Sequence, residues 1–233
     1  METTDKIIVI SGGSEGLGRA MAEEFSRDNR VIILSNEEEK LKQAAKEIGC
    51  DYEFCDVTDY GLCEKAIKSV IAKYGRIDCL INNAGIYIRG PLEENDPQRI
   101  KKVIEVNTLG TIFLSRAAIP YMKEEEKGMI INIVSQSGLY ADKNKSVYRA
   151  SKWAITGLTK CLSLDLAPYG IKVCGIYPGT MMKTKFFEKA GIKEDFSDAL
   201  DPKEVAKLVK LIAETDGDVF IPELGIETLK GYE

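Results

Sequence analysis

The stretch SVYRASK, residues 146–152, places Tyr148 and Lys152 four residues apart in a 233-residue chain that contains no histidine. On a helix, positions i and i+4 share one face, so the phenol and the ammonium project together. A free phenol has a pKa of about 10 and exchanges protons poorly near neutrality. A cation beside it favours the phenolate and lowers that value by roughly 1–3 units. The pair is therefore a candidate acid–base in place of a histidine. Without histidine, Ser-His-Asp and Cys-His mechanisms are excluded, and proton transfer near pH 7 must come from a perturbed Asp, Glu, Lys, Cys or Tyr. Taken alone, a Tyr and a Lys at this spacing are also an ordinary surface pair, so the surrounding elements decide.

Those elements alternate. KIIVI (6–10), RVIIL (30–34), YEFCDV (52–57), DCLINNAG (78–85), GMIINIVS (128–135) and IKVCGIYPG (171–179) read as strands or a strand with its turn. Helical patterns separate them, including a long one over about 97–124 and one from Val147 to Pro168 or Gly170. Asp201-Pro202 starts a further helix, with an Asp cap and Pro in the first turn. DVFIP (218–222) is a candidate last strand. Unbroken apolar strands alternating with helices predict a single α/β domain, a mainly parallel sheet of about seven strands with helices on both faces. Residues 179–200 are the least regular stretch and a candidate substrate lid, because ligands of such sheets bind beyond the carboxyl ends of the strands.

Composition narrows the classes. The formal net charge is −5 and no dense basic run occurs, so a nucleic-acid surface is not expected. The apolar runs are too short to span a bilayer, and the N-terminus has no signal-peptide layout. Cys50, Cys55, Cys63, Cys79, Cys161 and Cys174 include no CxxC pair and give no metal-site spacing. They read as reduced thiols of a cytoplasmic protein.

SGGSEGLG (11–18) follows the first strand and opens a helix. Glycines at 12, 13, 16 and 18 let backbone approach a pyrophosphate, and the helix N-terminus supplies N–H groups and a favourable dipole. The spacing differs from G-x-G-x-x-G.

With CDV (55–57), INNAGI (81–86), VNTLG (106–110), INIVSQSG (131–138), YRASK (148–152) and YPG (177–179) in the same order, the chain resembles the short-chain dehydrogenase/reductase family over nearly its whole length. The resemblance implies a Rossmann-like, doubly wound fold and NAD(P)-dependent interconversion of a carbonyl and an alcohol by hydride transfer. It implies catalytic roles for Asn107, Ser135, Tyr148 and Lys152, with Ser135 preferred over Ser137 because it stands thirteen residues before the tyrosine. Tyr148 would act as acid and base, Ser135 would bind the substrate oxygen, and Asn107 would hold a water that passes protons to Lys152. For the cofactor it implies Gly12, Gly16 and Gly18, with Ser14, Glu15 and Leu17 of the same turn. It adds Asp56 and Val57 at the adenine, and Asn83, Ala84 and Gly85 at the ribose. Pro178, Gly179, Thr180 and Met181 fall beside the nicotinamide, together with Tyr148 and Lys152. The family's threonine five residues after the proline is Lys183 here, and Thr184 fits with a one-residue insertion.

Cofactor choice is not spelled out. The second strand ends in Ser35 and Asn36, where NAD users carry an acid, and Glu15 stands where NADP users often carry a base. Ser35 and Asn36 favour NADP(H) slightly over NAD. Asn36 and Glu39 have capping-box spacing. The expected pocket comprises Ile86, Tyr87, Gln136, Ser137, Tyr140, Met181 and Phe186, and the expected partners are a small carbonyl or alcohol substrate and further copies of the chain, as a homodimer or homotetramer through 97–124 and 147–168. A cofactor-sensing regulator and another nicotinamide-dependent reaction such as epimerisation are the alternatives.

Overall fold

Five-residue apolar runs with β-branched side chains make strands that bury both faces, and here they stack in parallel. In the computed structural model, which describes residues 5–180, 184–191, 199–215 and 217–229, seven strands form one sheet. The strands are β1 (Ile7–Ser11), β2 (Arg30–Ser35), β3 (Asp51–Phe54), β4 (Cys79–Asn82), β5 (Gly128–Ile133), β6 (Ile171–Pro178) and β7 (Glu223–Ile226). Their order is β3-β2-β1-β4-β5-β6-β7, and every pair is parallel. The chain reverses its direction of growth between β1 and β4, and the loops leaving those strands diverge and open a crevice at their carboxyl ends.

The side chains of each strand alternate between two cores. On one face Ile8, Ile10, Ile33, Ile81 and Ile131 pack against α1 (Gly16–Phe25), α2 (Glu38–Ile48) and α8 (Pro202–Ala213). On the other, Ile7, Val9, Ile32, Leu34, Leu80 and Ile130 pack against α3 (Tyr60–Tyr74), α5 (Gly110–Glu124) and α6 (Ser146–Leu166). The remaining helices are α4 (Pro97–Ile104) and the four-residue α7 (Lys185–Glu188).

Three expectations need correction. The helix over 97–124 is not uniform, since α4 and α5 are joined by a π-helical turn at Glu105–Leu109. DVFIP is not a strand; pairing with β6 begins at Glu223, where backbone register continues from Gly175. The Asn36–Glu39 capping box does not form. Glu37 precedes α2 without a side-chain cap, and Asn36 Nδ2 instead donates to Asp56 Oδ2 at 3.1 Å. Asp201 does cap α8, accepting from the Lys203 N–H at 2.9 Å, with Pro202 in the first turn. Within 179–200 the described residues include α7; Met181 and residues 192–198 lie outside them.

Leu114, fully buried between α5 and the sheet, measures the second core. Leu114→Ala is expected to cost about 2–5 kcal/mol, read as a lowered urea midpoint at unchanged m-value.

Candidate active site at the carboxyl ends of the strands

β1 runs into the glycine turn. Gly12 and Gly16 adopt left-handed backbone, φ +65° and +57°, which other residues resist. Gly18, in the first turn of α1, lies so close to the loop that a Cβ there would stand 2.1 Å from the Gly12 carbonyl oxygen. Ser11 Oγ accepts from the N–H groups of Asn83 and Ala84 at 3.0 Å each, and Asn83 Nδ2 donates to the Ser11 carbonyl at 2.9 Å. The turn after β4 is thus locked to the glycine turn. Asn82, the other asparagine of that motif, points into the protein and binds Ser115 and Asn132.

β5 delivers the serine. Ser135 sits at φ +145°, a strained conformation for a residue with a Cβ, and its Oγ accepts from the Ser137 N–H at 3.1 Å. The same hydroxyl is close enough to draw the Tyr148 phenol down. α6 carries Tyr148 and Lys152 on one buried face, 5% exposed each. Lys152 Nζ donates to the Ile133 carbonyl at 2.9 Å and lies 5.9 Å from the centroid of the Tyr148 ring.

Asn107 stands in the π-helical turn, where the widened backbone turns its amide inward. Its Oδ1 accepts from the Ile86 N–H at 2.8 Å, and its Nδ2 donates to the Ile86 carbonyl at 3.0 Å and to Ser151 Oγ at 3.0 Å. The side chain therefore clips the segment after β4 to α6. Tyr87, on that segment, packs edge-on to Tyr148 with centroids 4.7 Å apart; Phe186 of α7 packs on both rings and Phe187 on that of Tyr87.

Burial dominates the titration of the pair. It pushes the Tyr148 phenol above its ordinary value, against the opposing pull of the Ser135 hydroxyl and, more weakly, the Arg149 charge. It pushes the Lys152 ammonium down from 10.5 to about 8. The expectation that Lys152 brings the phenol down is not met in the cofactor-free chain, because the cost of burying a phenolate exceeds the attraction.

A cleft of about 580 Å³ joins these parts. It is lined by Gly12, Ser14, Glu15, Gly16 and Leu17, by Ser35, Asn36 and Val57, and by Asn83, Ala84 and Gly85. At its other end stand Ser135, Tyr148, Lys152, Pro178, Gly179 and Thr180. Gly18, Asp56 and Asn107 stand behind this lining. Asp56 binds the Thr58 N–H and hydroxyl at 3.0 and 2.8 Å, while the next helix, α3, is capped by Asp59. Of the expected pocket, Ile86, Tyr87, Gln136, Ser137 and Phe186 line the cleft; Tyr140 is 63% exposed and does not, and Met181 lies outside the described residues.

Sequence reading missed two groups here. Lys189, just after α7, reaches back to Glu15 and to Glu37 Oε1, the latter at 3.1 Å. These contacts span 174 and 152 residues, beyond any local signal. Arg149, inside the YRASK motif itself, also lines the cleft. Thr184 faces Gly16, with its Cβ 3.7 Å from where a Cβ on that glycine would be, and its buried Oγ1 has no hydrogen-bond partner among the described residues. An orphaned hydroxyl over a left-handed glycine turn, at the N-terminus of α1, fits the pyrophosphate side of a dinucleotide.

Comparison with known proteins agrees. The short chain dehydrogenase family model matches residues 6–195. The chain is 32% identical to trans-4-hydroxycyclohexanecarboxylate dehydrogenase of Sinomonas cyclohexanicum, over 90% of this chain and 86% of that one. It is 30% identical to meso-2,3-butanediol dehydrogenase of Serratia marcescens, over 93% and 90%. The structure of an alcohol dehydrogenase from the archaeon Thermococcus sibiricus, complexed with 5-hydroxy-NADP, superposes with a TM-score of 0.88 at 26% identity, covering 96% and 97% of the two chains. The chain belongs to the short chain dehydrogenase family. It is an oxidoreductase acting on alcohol and carbonyl groups with a nicotinamide cofactor.

The depressed Lys152 value carries a pH signature. Between pH 8 and 10.5 the unfolded chain holds a proton that the fold releases, so this site adds stability as pH rises, on the order of 3 kcal/mol in full. Lys152→Met removes that slope. In cofactor-free protein the stability of the variant relative to the parent should therefore fall steadily from pH 7 to 10; urea midpoints that keep a constant separation would contradict it.

Proposed function

We propose that Tyr148 is the proton donor and acceptor of this reaction, that Ser135 and Lys152 act with it, and that NADP(H) is the preferred cofactor. The observation that carries the reading is the meeting of Ser135, Tyr148 and Lys152 in one cleft that continues to the glycine turn. A bound nicotinamide supplies hydride to the carbonyl carbon, or takes it from the alcohol. Tyr148 passes its phenolic proton to the substrate oxygen, and Ser135 Oγ, strained into place, hydrogen-bonds that oxygen as charge develops. Lys152 would hold the nicotinamide ribose, and its positive charge favours the phenolate once a ligand fills the cleft. Asn107, with both ends of its amide engaged, positions Ile86 against α6. Tyr148→Phe keeps the ring and loses the proton. Turnover of a reducible ketone should fall by roughly 10²–10⁴-fold while cofactor affinity stays close to that of the parent. Unchanged turnover would refute the assignment.

The preference for NADP(H) is supported at the ribose end. Ser14 Oγ donates to Ser35 Oγ at 3.2 Å, so two hydroxyls stand where a family acid would repel a 2′-phosphate. Glu15 and Glu37 are both engaged by Lys189, which offsets their charge and holds the Glu37 carboxyl below its usual range after the larger effect of Lys40. Lys189→Ala takes that partner from Glu15 and leaves Glu37 to Lys40 alone. NADPH affinity is expected to fall on the order of tenfold more than NADH affinity, one decade being about 1.4 kcal/mol. Equal losses in fluorescence titrations would remove Lys189 from the choice.

Homo-oligomer formation fits the exposed apolar side chains Trp153 and Leu164 on α6. Six free thiols, Cys55 and Cys63 with sulfurs 3.9 Å apart among them, support a cytoplasmic setting. No helix among the described residues is long and apolar enough to cross a membrane. The substrates named for relatives range from a cyclohexanecarboxylate to a butanediol and L-fucose, so substrate choice must come from this chain's own cleft.

A further inference from the structure

The outer end of the cleft carries more positive charge than its partners offset. Arg99, Lys145 and Arg149 line it, with one carboxylate, Asp142, among them. Lys145 is the leading partner of Asp142 and the main reason its carboxyl lies below the usual range. Arg149 has only the remainder, an Nη2 contact to Asp142 Oδ2 at 3.4 Å. The Arg149 side chain is just 14% exposed, and its Nε and Nη1 are buried with no hydrogen-bond partner among the described residues. Arg99 Nη2 meets only a neutral acceptor at 3.3 Å, the carbonyl of Tyr87. Gln136 Oε1 is a further buried atom of this lining without a partner. Glu15 and Glu37 are held by Lys189 at the other end, and Glu227 stands against the Pro178–Gly179 turn, its own carboxyl pushed up by burial.

A buried guanidinium with two unmet donors costs free energy unless a ligand brings acceptors. Nε–H and Nη1–H lie on different edges of the plane, each beside the Nη2 that Asp142 already meets, so a carboxylate takes one of them at a time through a charge-assisted N–H bond. Arg149 and Tyr148 line the same cleft, and the Arg149 charge is felt by the phenol, so a group seated on the guanidinium shares the space of the reacting oxygen. A dinucleotide and its substrate would share the 580 Å³ cleft, whose substrate end is walled by Tyr87, Phe186 and Phe187, and this favours a small substrate.

We propose that the substrate is a small oxo- or hydroxycarboxylate whose carboxylate is seated on Arg149 at the outer end of the cleft, with Lys145 and Arg99 adding to the attraction. This rests on the oxidoreductase reading of the same cleft. It is tested with ketones in matched pairs, 4-oxocyclohexanecarboxylate and a series of linear oxo-acids, each against its methyl ester. In the parent protein the acids should be reduced with kcat/KM at least tenfold above their esters. In Arg149→Gln that ratio should fall to within about twofold of unity, mainly through KM of the acids, with the conservative Arg149→Lys restoring part of it. The members of a pair share the chemical step, so the ratio cancels any effect of Arg149 on the Tyr148 phenol. A second measurement needs no turnover. Cyclohexanecarboxylate should raise the Tm of NADP-loaded protein and cyclohexanecarboxamide should not, and Arg149→Gln should abolish the difference. Esters reduced as well as acids, a ratio unmoved by Arg149→Gln, or equal shifts from the acid and the amide would overturn the proposal. Absence of NADPH binding, or NADPH binding without reduction of any ketone, would instead strike the reading of the reaction.

Discussion

An ammonium buried without a carboxylate is the constraint on which the site depends. Lys152 is 5% exposed, its described bond is to the Ile133 carbonyl, and burial alone accounts for its lowered pKa. A charge so placed is tolerable only where a backbone oxygen is aimed at it and a ligand can complete its shell. The end of β5 supplies the first condition and the open cleft the second. The same burial raises Tyr148. Loss of water therefore pushes the two groups toward their neutral forms together, yet Lys152, lowered only to about 8, keeps its proton at neutral pH, and it is Tyr148 that depends on what enters the cleft to ionise.

Holding that pair requires the ends of three strands to be fixed against α6. The ends of β1 and β4 are joined through Ser11 and Asn83, and the segment after β4 is joined to α6 through Asn107 and Ser151. Ser151 Oγ in turn donates to the Tyr148 carbonyl at 2.6 Å, one turn back on the helix. The π-helical turn at Glu105–Leu109 is what lets Asn107 reach Ile86 from within a helix. A helix of regular pitch would carry that amide onto a different face, so the departure from regularity is part of the site's construction.

What the sequence showed and hid follows from range. β1, β2, β4, β5 and β6 were legible because each is an apolar run, and burial on both faces demands that. β7 was not, because it lies at the sheet edge and reads Glu-Leu-Gly-Ile, half exposed, while the more apolar DVFIP just before it gives the ladder only its Pro222 carbonyl, which accepts from the Gly175 N–H at 2.9 Å. The glycine turn, Ser135, Tyr148 and Lys152 were legible as motifs because each needs a particular residue type at a fixed local spacing. Asn36 misled because the Asp56 carboxylate, twenty residues away, wins its amide from the helix end. Lys189 and the isolation of Arg149 had no local signature at all. Their meaning lies in which charges the fold places opposite them.

Those charges divide the cleft. The chain is acidic overall, with a net charge of −5, yet the outer end of the cleft holds three cations to one acid, while at the ribose end Glu15 and Glu37 share Lys189 and Glu37 also pairs with Lys40. One short element touches both ends. Phe186 and Phe187 of α7 pack on the Tyr87 and Tyr148 rings, and Lys189, a residue beyond the helix, binds the two acids at the glycine turn. The rings that wall the substrate space and the lysine that holds the two acids thus belong to one short piece of chain.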